Sequence, residues 1–182
     1  MKQTLYALLA ALSISGLSAC SKAYDSDPDT NLSGAGNPIA PIGTADKQQI
    51  VCRNNNTKQS YSPAYYLDFG GTRTIYGGFS SGGTSYILQI AMAKYNSTVK
   101  HYGADSASIT YVTGVPTDQA SLKSYMSNNP RKAGYAYVDV AADDNNNMTG
   151  TFSGMTYIVD TAGKAIDSVK FSEGSFNVPK QQ

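Results

Sequence analysis

Two-residue alternation of apolar side chains is the feature that most constrains the fold of this chain. In the segment "SYILQIAM", apolar side chains recur at every second residue, at Tyr86, Leu88, Ile90 and Met92. Such residues share one face of a β-strand, because successive side chains point to opposite faces. The Gly/Ser cluster at residues 80–83 separates this segment from the apolar run "TIYGGF". Two such runs around a turn cluster predict a β-hairpin.

A second hairpin is predicted near residue 145. In "GYAYVDVA", Ala136, Val138 and Val140 alternate with Tyr135 and Tyr137. The segment "DDNNN" follows with turn-forming residues, and "MTGTFSG" then resumes an extended pattern. The order strand, turn, strand is typical of a hairpin.

The last apolar run changes phase. Val169 and Phe171 stand at odd positions, whereas Phe176 and Val178 stand at even positions. A strand keeps one phase unless a residue is inserted, so residues 173–174 are either a β-bulge within one strand or the turn of a tight hairpin.

One helix is expected, over residues 117–129, where Ala120, Tyr125 and Met126 can share a face and Pro130 ends the segment. Many short strands and frequent glycines otherwise predict a mainly β fold, an antiparallel β-sandwich-like single domain with one short helix. We place this domain at residues 50–182. Residues 20–49 are predicted to be a flexible tether, because their Pro- and Gly-rich composition cannot bury enough apolar surface.

The N-terminus has the pattern of a signal peptide, predicted at residues 1–19. Lys2 supplies a positive charge, and the apolar run from residue 5 to 17 fits the ~7–15 residues of a signal-peptide core. A membrane-spanning helix would need about 18 apolar residues or more. An ordinary secretory signal with an incidental cysteine is one interpretation of this segment.

The residues at the end of this segment favour a second interpretation. Leu17, Ser18, Ala19 and Cys20 resemble the lipobox of bacterial lipoproteins, an aliphatic residue and two small residues before a cysteine. The resemblance implies cleavage before Cys20, diacylglycerol on its thiol, and acylation of the new amine by a chain such as palmitate. It thereby implies an outer membrane lipoprotein of the cell envelope, at the cell surface or facing the periplasm.

The C-terminal segments "MTGTFSG" and "GSFNVP" resemble a family of small Bacteroidetes secreted lipoproteins of unassigned function, whose chains end in a G-T-F-S … G-S-F-N-V pattern. The resemblance implies an envelope location and a β architecture. It implies no activity.

Charge excludes one class of partner. The chain has 14 Lys and Arg against 13 Asp and Glu. Neither a basic stripe nor an acidic block is present, so no nucleic-acid partner is expected.

No catalytic residue, metal site or cofactor is predicted. Residues 78–82 fit G-x-S-x-G, but a nucleophile elbow leads into a helix, and here a predicted strand follows. His101 is the only histidine, which does not suffice for a zinc site, and Cys52 is expected in the core. The D-x-D-x-D pattern of residues 25–29 lacks the Gly and Glu of a calcium loop.

A carboxylate pair for glycoside hydrolysis stays open as an alternative, since the separation of two carboxyl groups decides that mechanism. Asp139, Asp143 and Asp144 are expected on a solvated hairpin.

The chain has 14 tyrosines and no tryptophan. Tyrosine suits half-buried sheets and also forms binding surfaces, because it combines an apolar ring with a polar tip. Tyr135 and Tyr137, two residues apart on one predicted strand face, are the best candidates for a face that stacks against sugar rings. Ordinary cross-strand packing is the alternative role of this pair.

Three segments resemble the D-[S/T]-small or aliphatic sites of Bacteroidetes O-glycosylation, with the acceptors Ser106, Thr161 and Ser168.

Together the sequence patterns described above predict a lipid-anchored envelope lipoprotein that acts as a non-catalytic binding or accessory module. Its expected partners are the membrane, through the lipid anchor, and a glycan or an envelope protein. The alternatives are a glycan-acting hydrolase and a structural or assembly subunit of the envelope.

Overall fold

The computed structural model describes residues 44–131 and 134–181, and every structural statement below concerns these residues. They form eleven strands and one 3-10 turn, Gln119–Ser121. The strands are β1 Gln49–Asn54, β2 Thr57–Tyr61, β3 Ala64–Phe69, β4 Thr72–Ser81, β5 Thr84–Met92, β6 His101–Tyr102, β7 Ala107–Gly114, β8 Lys123–Met126, β9 Tyr135–Asp143, β10 Asn147–Val159 and β11 Ala165–Pro179.

The strands form one antiparallel sheet that curls into a nearly closed, barrel-like shape. Its order is β2-β1-β11-β10-β8-β7-β5-β4-β3, while β9 pairs with β10 and β6 pairs with β9. The two ends of this order meet, because β2 continues directly into β3 and because Gln181 N donates a hydrogen bond of 2.9 Å to Tyr66 O. The mainly antiparallel β fold and the single folded domain are thereby confirmed. The two layers expected of a sandwich are opposite walls of one curled sheet.

Both predicted hairpins are present. β4 and β5 are joined at Gly82 and Gly83, whose φ angles are 56° and 79°. Positive φ at both central residues is the requirement of a type I′ hairpin turn, and glycine meets it without steric cost. β9 and β10 are joined across Asp144, whose carboxylate accepts hydrogen bonds from the backbone of Asn146 and Asn147.

The phase change near the C-terminus is a β-bulge. β11 runs without a break, but its register with β10 shifts between the pairs Phe152–Gly174 and Gly154–Phe171. Glu173 has a φ of 52°, and its carboxylate accepts a hydrogen bond of 2.9 Å from Nε of Arg53. The extra residue in the bulge returns the later apolar side chains to the interior.

The prediction of a helix over residues 117–129 was wrong beyond the first turn. Only Gln119–Ser121 is helical, and Lys123–Met126 forms β8 beside β7. Tyr125 is buried against Tyr111 in this arrangement. Burial of an aromatic side chain in the sheet therefore outweighed the local helical pattern.

The interior of the sheet is filled by side chains. Its largest fully buried members are Tyr61, Tyr66, Phe152, Phe171, Phe176, Ile50, Ile75, Leu88, Ile90, Met92, Ile109 and Met148. Ala45, which lies in the segment predicted as tether, is also buried. Within the described ranges, no helix has the length and apolar character that a membrane crossing requires.

Two ends of the curled sheet differ in chemistry. We call the end where β3 stops at Phe69 and β4 starts at Thr72 the charged end, since Arg73 lies there. The opposite end, where β4 passes into β5, is called the aromatic end, since Phe79 and Tyr86 lie there with their rings stacked at 4.6 Å.

Candidate functional site

The outer face of β9 carries the two tyrosines that the sequence singles out. Tyr135, Tyr137 and Asp139 are half-buried and point outward, whereas Ala136 and Val138 between them are buried. One face of β9 thus packs on the interior and the other meets solvent, as the two-residue period predicts.

β6 brings a histidine to this face. His101 pairs with Asp139 in the β6–β9 ladder, and its Nδ1 lies 2.5 Å from Oδ1 of that carboxylate. The side chains of His101 and Asp139 are 62% and 36% exposed, respectively. A carboxylate that accepts a hydrogen bond from Nδ1–H fixes the tautomer and the orientation of the imidazole.

Three rings lie in a row on this face. The ring centroids of Tyr135 and Tyr137 are 5.5 Å apart, and those of Tyr137 and His101 are 6.5 Å apart with only 20° between the ring planes. Gly103 lies beside Tyr137, since a Cβ atom on it would stand 3.9 Å from the tyrosine ring. We call Tyr135, Tyr137, His101 and Asp139 the tyrosine strip.

Polar and apolar residues of β10 border the strip. Register places Thr151 opposite Asp139, Ser153 opposite Tyr137 and Met155 opposite Tyr135, all half-buried. The strip therefore combines flat apolar rings with a carboxylate acceptor and flanking hydroxyl groups. Aromatic rings with polar tips beside hydrogen-bonding groups are typical of binding surfaces.

A second outward tyrosine pair offers a comparison within the same molecule. Tyr65 on β3 and Tyr76 on β4 stack at 5.6 Å with 27° between their planes. The residue opposite Tyr76 on β5 is Gln89. The centroid separations of the two pairs are similar, although the Tyr135 and Tyr137 rings are more tilted, at 40°. On β9, an imidazole and a carboxylate accompany the pair.

The charged end holds a buried ion cluster. The Arg73 guanidinium donates hydrogen bonds of 2.6 and 2.9 Å to the two carboxylate oxygens of Asp68, and its Nη1 lies 2.5 Å from Oδ2 of Asp143. It is sandwiched between two aromatic rings, with Cζ 4.3 Å from the Tyr66 centroid and 3.9 Å from the Tyr95 centroid. The cluster therefore joins β3, β4, β9 and the segment after β5.

The expectation that Asp143 lies on a solvated hairpin was wrong, because its side chain is 0% exposed. Burial by itself raises the pKa of Asp143, but hydrogen bonds from Tyr95 and Asn145 and the Arg73 charge outweigh it, so that pKa lies below its usual range. Hydrogen bonding to Arg73 likewise lowers the pKa of Asp68. Both carboxyl groups are engaged by Arg73.

The cysteine of the described chain is confirmed as a core residue. Cys52 is fully buried, and burial raises the pKa of its thiol to about 12. His101 lies on the outer face, so the structure does not bring these two residues together. A thiol held protonated in the interior is not a nucleophile.

The three predicted O-glycosylation acceptors differ in exposure. Thr161 is exposed in the turn between β10 and β11. Ser106 is half-buried before β7, where its hydroxyl donates to Gly103 O at 3.3 Å, and Ser168 is half-buried in β11. Their modification stays a prediction. Leu17, Ser18, Ala19 and Cys20 lie outside the described residues, as do the aspartates of residues 25–29.

Two further motifs are placed by the structure. Residues 78–82 form the end of β4 and the turn into β5, so the serine of this G-x-S-x-G segment does not lead into a helix. Among residues 44–131 and 134–181, His, Cys, Asp and Glu side chains form no group of three or more that could hold a metal ion.

The pairing of His101 with Asp139 was not visible in the sequence. The two residues are 38 positions apart, and β6 is only two residues long, too short to give an alternating pattern. Comparison with family models, curated proteins and solved structures found no match for this chain. The resemblance to Bacteroidetes lipoproteins therefore stays a prediction.

Proposed function

We propose that this chain is a lipid-anchored envelope lipoprotein whose folded domain binds a glycan on the tyrosine strip without chemically changing it. One observation carries the proposal, namely the row of three rings formed by Tyr135, Tyr137 and His101. The imidazole at its end is hydrogen-bonded to the carboxylate of Asp139. The flat rings of Tyr135 and Tyr137 suit the apolar faces of sugar rings.

The polar groups of the strip favour a neutral glycan. Asp139 accepts hydrogen bonds and suits sugar hydroxyl groups, but it repels a uronic acid. Within the strip, His101 is already hydrogen-bonded to Asp139, and neither a lysine nor an arginine is present to bind the carboxylate of a uronic acid. The preferred ligand is therefore a neutral polysaccharide of the envelope or of the surroundings.

The anchor rests on Cys20 and the lipobox residues before it. Cells that express the chain and grow with labelled palmitate should incorporate the label, and a Cys20→Ser variant should not. Intact cells treated with an added protease would then show whether the domain faces the medium, with permeabilised cells digested alongside as the control.

Glycan binding is tested by calorimetric titration of the full chain in detergent micelles. The probes are soluble oligosaccharides of neutral β-glucan, α-mannan and xylan, with polygalacturonate as the acidic comparison. Tyr137→Ala should weaken binding of the preferred neutral probe at least about tenfold, which corresponds to ~1.4 kcal/mol. Tyr76→Ala is the matched control and should leave the affinity unchanged.

Two outcomes would contradict the proposal. Equal loss of affinity in Tyr137→Ala and Tyr76→Ala would show that the strip is not the binding face. Release of new reducing ends from a probe, lost in Asp139→Asn, would instead support the hydrolase. Thermal melts of each variant show whether a loss of binding comes from unfolding.

A further inference from the structure

The outward face of five neighbouring strands carries only uncharged side chains. Register aligns one row across β3, β4, β5, β7 and β8, formed by Tyr65, Tyr76, Gln89, Thr110 and Met126. The row on one side runs from Leu67 on β3 to Ser108 on β7, and the row on the other side runs from Gly78 on β4 to Ser124 on β8. None of the three rows contains Lys, Arg, Asp or Glu. We call these three rows the neutral face.

The charged residues of the same five strands lie on the inward face. They are Asp68, Arg73 and Lys123. Asp68 and Arg73 belong to the ion cluster, and Lys123 stands two residues from the buried Tyr125, which places it on the same side of β8. The two faces of these strands thus differ in charge in the opposite sense to an ordinary solvated sheet.

Outward charges are present elsewhere on the sheet. Arg53 on β1 pairs with Glu173 on β11, and the exposed Lys58 on β2 stands opposite Arg53. A protein surface that meets water normally carries such residues. The centres of protein interfaces are instead depleted in Lys, Asp and Glu and enriched in tyrosine and methionine. The neutral face therefore has the charge pattern of an interface.

Large apolar side chains are exposed at the β3 edge of this face. Leu67 and Phe69 are 36% and 79% exposed, and they are two of the five exposed large hydrophobic residues of the described chain. Both are in phase with Tyr65, which stacks on Tyr76 at 5.6 Å. Contact with a partner removes such apolar surface from water, which is favourable.

The lack of charge indicates which partner covers the neutral face. In a two-fold symmetric interface, a residue near the axis faces its own copy, so a charged residue there meets a like charge. The neutral face meets its own copy without that cost. A charged surface of a different protein would lose its hydration here without finding a counter-charge. The chain also has 14 Lys and Arg against 13 Asp and Glu, so two copies carry little net charge to repel each other.

The size of the neutral face is compatible with a dimer. Five strands ~4.8 Å apart and about seven residues long cover on the order of 600 Å². Two such faces bury ~1,200 Å² in total, which is the lower limit of stable specific interfaces. Because the sheet curls, two copies approach most closely at the middle strand, β5. Gln89 is the residue of β5 in the middle row, so it lies at the centre of the face.

We propose that this chain pairs with a second copy of itself through the neutral face, with the two sheets packed face to face around Gln89. The tyrosine strip lies on β9 and β6, outside the three rows, so pairing does not occupy it.

Sedimentation velocity of the full chain, over a series of protein concentrations, measures this pairing. All variants carry Cys20→Ser, so the result does not depend on the proposed lipidation. The chain with an intact neutral face should sediment as a dimer. Gln89→Lys should raise the dissociation constant at least about a hundredfold, because two like charges then meet near the axis. Ser60→Lys, at an exposed position on β2, is the matched control and should leave the dimer intact.

A thiol at the centre of the face identifies the partner without relying on the Gln89→Lys variant. Because Cys52 is buried, Gln89→Cys supplies the reactive thiol and should give a disulfide-linked dimer on oxidation. Ser60→Cys should give none. A chain that sediments as a monomer, or a dimer that a folded Gln89→Lys variant leaves intact, would overturn the inference. Crosslinking of Gln89→Cys in cells to a protein of another mass, without the dimer, would overturn it as well.

Discussion

The charged and aromatic ends of the sheet are held together by different interactions. At the charged end, Arg73 is bound by Asp68 and Asp143, and the hydroxyl of Tyr95 donates a hydrogen bond of 2.7 Å to Asp143. Toward the aromatic end, Tyr61 packs edge-on against Phe79 at 5.4 Å. The buried Tyr61 hydroxyl has no hydrogen-bond partner among the described residues.

The difference shows how one short barrel-like sheet can be closed by two kinds of chemistry. The burial of apolar surface is non-directional and tolerates small shifts, whereas an ion cluster requires each partner in place. Asp143 and Arg73 lie 70 positions apart in the sequence, so their contact fixes β9 against β4. We therefore expect the charged end to respond more sharply than the aromatic end to single substitutions and to acid.

The largest effect is expected from Arg73→Met. It leaves the Asp143 carboxylate buried with only hydrogen-bond partners, and removal of one member of a buried ion pair costs ~3–5 kcal/mol. The matched control is Arg53→Met, whose pair with Glu173 is about two-fifths exposed and should contribute at most ~1 kcal/mol. Urea denaturation gives the free energy of unfolding of each variant. Similar losses in both would remove the distinction between buried and exposed pairs.

Removal of one tyrosine hydroxyl at each end should change the free energy of unfolding by a smaller amount. Tyr95→Phe removes one of the two donors to Oδ2 of Asp143, which keeps its hydrogen bond from Arg73, and loss of one hydrogen bond to a charged group costs ~1.5–3 kcal/mol. Tyr61→Phe removes a buried hydroxyl that has no partner in the described chain, so it should leave the free energy of unfolding unchanged or raise it. A clear destabilisation by Tyr61→Phe would show that this hydroxyl is hydrogen-bonded, for instance by a buried water.

Acid is expected to weaken the charged end gradually. The pKa values of Asp68 and Asp143 are lowered in the folded state, while an aspartate in the unfolded chain has a pKa of about 3.9. The stability they contribute is therefore present above that value and is lost as the pH falls through the folded-state values. Denaturation curves over this acidic range should show a steeper loss in the native sequence than in Arg73→Met. An equal loss of stability in both proteins would show that other carboxyl groups determine the response to acid.

The smallest effect is expected in the reactivity of the Cys52 thiol, which should be close to zero in the folded protein. With its thiol buried and its pKa raised to about 12, the native protein should not react with an aromatic disulfide reagent at neutral pH. Full reaction should follow in urea. A Cys20→Ser background removes the other thiol, so that all labelling reports on Cys52. Rapid labelling of the folded chain would contradict its place in the core.

The two hairpins were predictable from sequence because each follows from a local rule, whereas the phase change at residues 173–174 left a bulge and a turn open until the pairing of β11 with β10 decided for the bulge. Gly82 and Gly83 mark a turn, and the change of phase between Phe171 and Phe176 marks an irregularity without saying which kind. The contact between Arg73 and Asp143 has no local signature, since closure of the whole sheet brings these side chains together. For the same reason the sequence predicted Asp143 to be a solvated turn residue. Tyr135 and Tyr137 were found from their spacing, but their neighbour His101 depends on the pairing of β6 with β9.

The position of β1 between two partners has a mechanical consequence. β1 is antiparallel to both β2 and β11, and it begins at the end where the chain enters the domain. Hydrogen bonds in such ladders run perpendicular to the strands. A force applied along β1 loads the bonds of both ladders in shear at the same moment instead of opening them one by one. The domain therefore resists a force applied at Gln49 in the direction of that strand.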